Sequence, residues 1–284
     1  MTEDSFIEWT EGRTGKEQEY KVHLEADRKS PLSVFFVNYT DYFVDNYPAK
    51  FNEELARSLI RNYTKEGDLV MDPMAGSGVI PLMAYSLKRN ANYFDINPEA
   101  FKLFQEKIPV NRLQQERDMK QSFVRCYSNS FDPWIFGQVK DATSEPLGLF
   151  NSVDLILTSP PFGLTIDAAH DKYSDNPNDI GNSKDYEQWR KGMKKIIKNC
   201  FDVLKPGKLA IFETRPRSKN GHSYPLNMWI WQDAEEVGFE FFSERIEVVI
   251  PLRMWSFGKK EQRVPMPMHS YLTMMRKPEN EKLM

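Results

Sequence analysis

A chain of 284 residues, 40% of them hydrophobic, has material for one large α/β domain with decorations and falls short of two full domains. Its formal net charge of −3 excludes a protein that coats nucleic acid by bulk charge, but not local contacts to phosphates. No run approaches the roughly 18 apolar residues of a membrane span, the start Met1-Thr2-Glu3-Asp4-Ser5 lacks a leader pattern, and Cys126 and Cys200 lack metal or disulfide spacing. A cytoplasmic protein without membrane or metal is expected.

Residues 1–45 read as an N-terminal extension of uncertain order, charged at first and rich in aromatic and β-branched residues from Leu32 onward; the folded domain spans 46–284. Asn52 reads as the N-cap of a helix with Leu55, Leu59 and Ile60 on one face. Strands and helices then alternate. A strand over 68–72 leads to a helix from about Gly78 to Lys88, and a short strand near Tyr93-Phe94-Asp95 leads to a helix capped by Asn97 and begun by Pro98. Phe123–Tyr127 reads as a third strand and 153–158 as a fourth. Trp189, Met193, Ile196, Ile197, Cys200 and Leu204 form one face of a helix that stops at Pro206-Gly207, while Arg190, Lys191, Lys194, Lys195 and Lys198 read as its solvated face. Leu209–Phe212 is a fifth strand, a helix follows near 226–237, and two β segments, 239–250 and 268–276, flank a loop. Strands separated by helices predict a mostly parallel, Rossmann-like sheet with helices on both faces and an antiparallel edge.

Two motifs end strands in this scheme. Asp72-Pro73-Met74-Ala75-Gly76-Ser77-Gly78 turns from a strand into a helix, and its glycines let the backbone come close to a ligand. Pro81 stands where a dinucleotide fingerprint needs glycine, and Asp95 follows near the roughly 20-residue spacing of an acid that accepts ribose hydroxyls. An ordinary glycine turn with a capping aspartate is the competing reading. Thr158-Ser159-Pro160-Pro161-Phe162 lies at the carboxyl end of the fourth strand, where a parallel sheet presents its site. Two prolines stiffen that turn and remove two N–H donors. The Ser159 hydroxyl and the Pro160 carbonyl could accept both protons of an exocyclic amine, and Phe162 offers a face on which a flipped base stacks. A rigid Pro-Pro turn closing a strand is the alternative.

On these residues the chain resembles the amino-methylating DNA methyltransferases, which form N4-methylcytosine or N6-methyladenine. The resemblance implies S-adenosylmethionine as cofactor. It places Tyr47-Pro48-Ala49-Lys50-Phe51 against the methionine part, with Tyr47, Pro48 and Phe51 as contacts. The loop from Asp72 to Gly78 is its first motif, Asp95 with Ile96 the ribose site, and Asn129 stands where an aspartate often serves the adenine ring. Thr158 completes the cofactor side. Ser159, Pro160, Pro161 and Phe162 match the catalytic motif in its serine form, which leans towards cytosine N4, and Asp167 resembles the segment just downstream of that motif in the cytosine enzymes. The implied partner is DNA with a base flipped into the cleft, in a restriction–modification or phage setting.

Two basic segments follow strands and could reach phosphates: Arg215, Arg217 and Lys219, then Arg253 and Lys259, with Trp255 among them, in the loop before the last strand. The core motifs leave no separate block for reading sequence. Recognition therefore falls to the first 45 residues, the loops 163–185 and 251–267, a specificity partner or a second copy. Neither cysteine follows a proline, which excludes a cytosine-C5 methylase. An RNA or tRNA guanine-N2 methyltransferase and a non-catalytic cofactor-binding subunit are the alternatives.

Overall fold

The structure is a computed structural model. It describes residues 34–38, 51–107, 114–118, 123–127, 133–144, 146–162, 173–219, 222–250 and 269–279, with backbone alone for 34–38, 114–118, 123–127, 218–219 and 249–250.

The scaffold starts with helix α1 (Glu53–Tyr63), which Asn52 caps through its side-chain oxygen, accepting from Leu55 N at 3.0 Å. Strand β2 (Leu69–Asp72), helix α2 (Val79–Ser86), strand β3 (Asn90–Asp95) and helix α3 (Pro98–Lys107) follow as two right-sized βα units. Asn97 Oδ1 accepts from Glu99 N at 2.9 Å, so the predicted cap forms. Strand β7 (Val153–Thr158) is buried at all six positions, which fits a central parallel strand covered on both faces. Helix α4 (Tyr186–Val203), strand β8 (Leu204–Thr214) and helix α5 (Leu226–Val237) complete this half.

Ten strands of the described residues make one sheet. Its parallel centre runs β8-β7-β2-β3 and then β6 (Ile135–Val139). On one side lie β12 (His269–Arg276) and β11 (Glu240–Ile250), antiparallel, and then β1 (Val34–Asn38), which pairs parallel with β11. On the other lie β5 (Phe123–Tyr127) and β4 (Gln114–Asp118), both antiparallel. Side chains alternate between two cores. Leu209 and Ile211 of β8 join α1, α2 and α3, whereas Ala210 and Phe212 join α4 and α5.

Three details differ from the sequence reading. The strand that follows α3 in the parallel series is β6, not Phe123–Tyr127. Only a short connector separates β5 from β6, too short for the dozen or more residues a parallel crossover needs, so the two pair as antiparallel neighbours. Gly137 blurs the pattern of β6 because a Cβ there would lie 3.0 Å from the Phe101 ring of α3. Secondly, β8 begins at Leu204, and the register irregularity between Val153 and Leu155 absorbs Pro206-Gly207 as an excursion within the strand. Thirdly, Arg190 is not simply solvated. It donates from Nε and from its terminal amine to buried Asp233 at 2.9 and 2.8 Å, and Lys194 pairs with Glu236, so part of the cationic row ties α4 to α5.

Candidate active site

The sheet's carboxyl edge brings the two motifs into contact. Asp72 ends β2, 3% exposed, and its Oδ1 accepts from Met74 N at 3.1 Å and from Thr158 Oγ1, at the end of β7, at 2.7 Å. Burial pushes the Asp72 carboxyl up to about 7 against the pull of those two hydrogen bonds, with Asp95 adding to the rise. The turn is stapled to the next strand: Ala75 N donates to Phe94 O at 2.9 Å, and the Tyr93 hydroxyl donates to Gly76 O at 2.6 Å. Pro73 is buried, and Met74 packs against the α4–α5 core.

Asp95 ends β3 and holds the loop from both oxygens. Oδ2 accepts from Gly76 N at 2.7 Å and Oδ1 from Asn97 N at 2.8 Å. Burial pushes it up to about 6, offset by those backbone bonds. Each carboxylate oxygen retains a lone pair with which a diol could bond. Ile96 beside it is half-buried. Gly76 and Gly78 take φ of +51° and +84°, the left-handed region. At Gly78 the requirement is one of packing, since a Cβ would sit 2.2 Å from Phe104 Cδ2. The Ser77 hydroxyl is buried and has no hydrogen-bond partner among the described residues. That orphan donor, the free lone pairs of Asp95 and the backbone close to the turn fit a nucleoside cofactor.

On the other side of Thr158 the chemical turn is pinned from behind. Trp189 Nε1 of α4 donates to Pro161 O at 2.6 Å. Pro160 is buried, whereas Ser159, Pro161 and Phe162 are half-buried at the cleft. Phe162 packs on the α4–α5 core, and the Arg217 guanidinium stands over its ring at 5.7 Å. Arg217 opens a hairpin of β9 (Arg217–Lys219) and β10 (His222–Tyr224), in which the Lys219 backbone pairs with His222.

Arg215 turns inward. It donates to Ser270 Oγ at 3.1 Å and faces Glu247, whose carboxyl hydrogen-bonds that of Glu213. Burial and the neighbouring Glu213 push Glu247 up to about 8, with Arg215 pulling the other way. Phe51, 8% exposed, joins the first core at the start of α1. Tyr47, Pro48, Asn129, Asp167, Arg253, Trp255 and Lys259 lie outside the described residues.

Sequence reasoning missed three contributors. Trp189 reads as a core residue because nothing in helical spacing reveals where its N–H points. Asn97, beyond capping α3, donates from Nδ2 to Tyr173 O at 2.5 Å and so ties the segment that begins at Tyr173 to the turn after Asp95. Asp179, buried and raised by that burial, accepts from Ser174 Oγ and Gly181 N and closes the same segment on itself. Among the described residues no three His, Cys, Asp or Glu side chains group to hold a metal, and no helix is long and apolar enough to cross a membrane.

A parallel centre with a glycine turn after one strand, an acid after the next and a Ser-Pro-Pro-Phe turn on the neighbouring strand makes a Rossmann-like fold with the three turns on one sheet edge. A family model described as DNA methylase, of the N6/N4 type, matches residues 5–106 and 153–283, and the chain belongs to that family. It is 32% identical over 81 residues to the Type II methyltransferase M.MjaI of Methanocaldococcus jannaschii, covering 28% of this chain and 27% of that protein. It is 27% identical over 146 residues to the tRNA (guanine(6)-N2)-methyltransferase of the same organism, covering 44% and 38%. The chain therefore spans well under half the length of either relative. In fold it is similar to TrmN from Thermus thermophilus, with a TM-score of 0.51 at 18% identity over 81% of this chain and 50% of that one.

Proposed function

We propose that the protein methylates an exocyclic amine of a DNA base, with cytosine N4 favoured over adenine N6. The observation that carries this reading is the 2.7 Å bond from Thr158 to Asp72. It brings the Ser-Pro-Pro-Phe turn within one hydrogen bond of the glycine-loop aspartate, across 86 residues of sequence. S-adenosylmethionine is the cofactor, and when bound its sulfonium supplies an electrophilic methyl group. Asp95 would hold its ribose, with the Gly76–Gly78 turn and the Ser77 hydroxyl alongside.

The chain's own work is orientation. A base amine is a weak nucleophile because its lone pair is delocalised into the ring. The Ser159 hydroxyl and the Pro160 carbonyl accept hydrogen bonds from its two N–H groups and draw the nitrogen towards tetrahedral geometry, freeing the lone pair. After the methyl leaves the sulfonium sulfur for that nitrogen, one of the two protons is lost to solvent. Phe162 holds the ring plane. The Trp189 bond to Pro161 O keeps the turn from relaxing, so the acceptors are in place before the base arrives. No covalent enzyme intermediate is involved.

Ser159 supports cytosine through the motif's serine form. The likeness to a tRNA guanine-N2 methyltransferase supports a second reading, an RNA base amine, and the same geometry would serve it. Purified protein is incubated with S-adenosylmethionine and either PCR-amplified DNA or transcribed tRNA, and the nucleosides are analysed by mass spectrometry. N4-methylcytosine in DNA is the expected product. N6-methyladenine would replace the base choice, N2-methylguanosine in tRNA would establish the second reading, and cofactor binding with no product on either would overturn both.

A further inference from the structure

The Arg217 side chain stands over the aromatic ring of the Ser-Pro-Pro-Phe turn. Its guanidinium carbon lies 5.7 Å from the centre of the Phe162 ring. The residue is half-buried, and the phenols of Tyr173 and Tyr186 lie within range of its charge. Its backbone is held firmly. Arg217 pairs with Tyr224 across the β9–β10 hairpin, and the Tyr224 ring lies 4.1 Å from that of Tyr186 and 6.2 Å from that of Trp229. A fixed root thus carries a long, adjustable side chain.

A base flat on Phe162 needs about 3.5 Å on each face, or roughly 7 Å between the two groups that would enclose it. The guanidinium carbon stands 5.7 Å from the ring centre, so it has to move outward by at least ~1 Å to admit a base. Resting on the methyltransferase reading above, we infer that Arg217 is the second wall of the base pocket: the target base seats between the Phe162 ring and the Arg217 guanidinium, which retreats slightly and stacks on the outer face. A guanidinium plane stacks on any base, so the clamp holds without reading sequence. Methyl transfer moves positive charge onto the base nitrogen, and a cation stacked on that base gains nothing as the charge arrives. The clamp is therefore a positioning device for seating and acts on KM more than on kcat.

The test is methyl transfer from tritiated S-adenosylmethionine to whichever nucleic acid the wild type modifies, PCR-amplified DNA or transcribed tRNA. Arg217→Ala, Arg217→Lys and Arg217→Tyr are compared with wild type, each checked for an unchanged melting curve, and the salt dependence of nucleic-acid binding is measured alongside. Arg217→Ala is expected to raise KM about tenfold with kcat within about twofold. Arg217→Tyr restores most of the loss because a ring stacks as the guanidinium does, Arg217→Lys does not, and the salt slope stays the same. A phosphate contact gives the reverse: lysine restores, tyrosine does not, and alanine flattens the slope by about 0.9. That result, or three variants alike, overturns the clamp and leaves the methyltransferase reading standing. A wild-type protein that modifies neither nucleic acid overturns both.

Discussion

The proposed cofactor half and the proposed substrate half of the site share one edge of one sheet, yet they are built differently. In the cofactor half most of the hydrogen bonds run within the β2-α2-β3 unit. Asp72 holds Met74, Asp95 holds Asn97 and Gly76, and Tyr93 holds Gly76. The substrate half is assembled from distant pieces, with Trp189 of α4 behind Pro161 and Arg217 of the hairpin over Phe162. The contrast teaches that the first half is preformed by a strand-turn-helix unit, whereas the second exists only once α4, α5 and the hairpin have packed. Damage to the first should appear as lost folding or cofactor affinity, and damage to the second as lost turnover on an intact fold.

The strongest way to break the contrast is Gly78→Ala. The new methyl would meet Phe104 in a left-handed backbone, costing roughly 3–5 kcal/mol and abolishing cofactor binding by calorimetry together with much of the thermal stability. Ser159→Ala should do the opposite, lowering kcat about 100-fold with an unchanged melting curve and unchanged cofactor affinity. Equal losses of stability in the two variants would erase the distinction. Asp95→Asn replaces one accepting oxygen by an amide that faces the N–H of Gly76 or of Asn97, a cost of about 1–3 kcal/mol visible as weaker cofactor binding. Trp189→Phe removes one hydrogen bond, about 1 kcal/mol, and should slow turnover severalfold while cofactor affinity holds.

A last test sharpens the comparison away from both motifs. Glu247 has a folded pKa of about 8, above its ordinary 4.5, so the folded state binds more protons between those values. Stability then falls as pH rises from about 4.5 to about 8, because the Glu247 proton must leave a buried carboxyl beside Glu213. Glu247→Gln mimics the protonated form. Melting temperatures measured across that range should decline less in the variant than in the wild type, and an identical decline would exclude the Glu213–Glu247 pair as its source.

Much of the cofactor half was legible without coordinates. Asn52 and Asn97 cap the predicted helices because capping is decided by residues three or fewer apart. The run 153–158 reads as a strand because it is a short apolar run, the pattern of a strand covered on both faces, and all six of its positions are buried. Ile135–Val139 escaped notice because Gly137 breaks its pattern for the sake of aromatic rings on α3. Phe123–Tyr127 has the composition of a strand, but composition carries no direction. Arg190 and Lys191 are adjacent and chemically alike, yet only the first meets a buried aspartate, which depends on where α5 lies.

The sequence by itself therefore determined the set of strands ending in Asp72, Asp95 and Thr158, the turns after them and the resemblance they carry, since strand periodicity, glycine conformation and proline stiffness act over a few residues. The tertiary structure alone decided that Thr158 bonds Asp72, that Trp189 braces Pro161, that Arg215 turns in to Ser270 and that Arg217 covers Phe162. Those contacts join elements far apart in the chain, and the direction of a long side chain is set by the packing around it rather than by its neighbours in sequence.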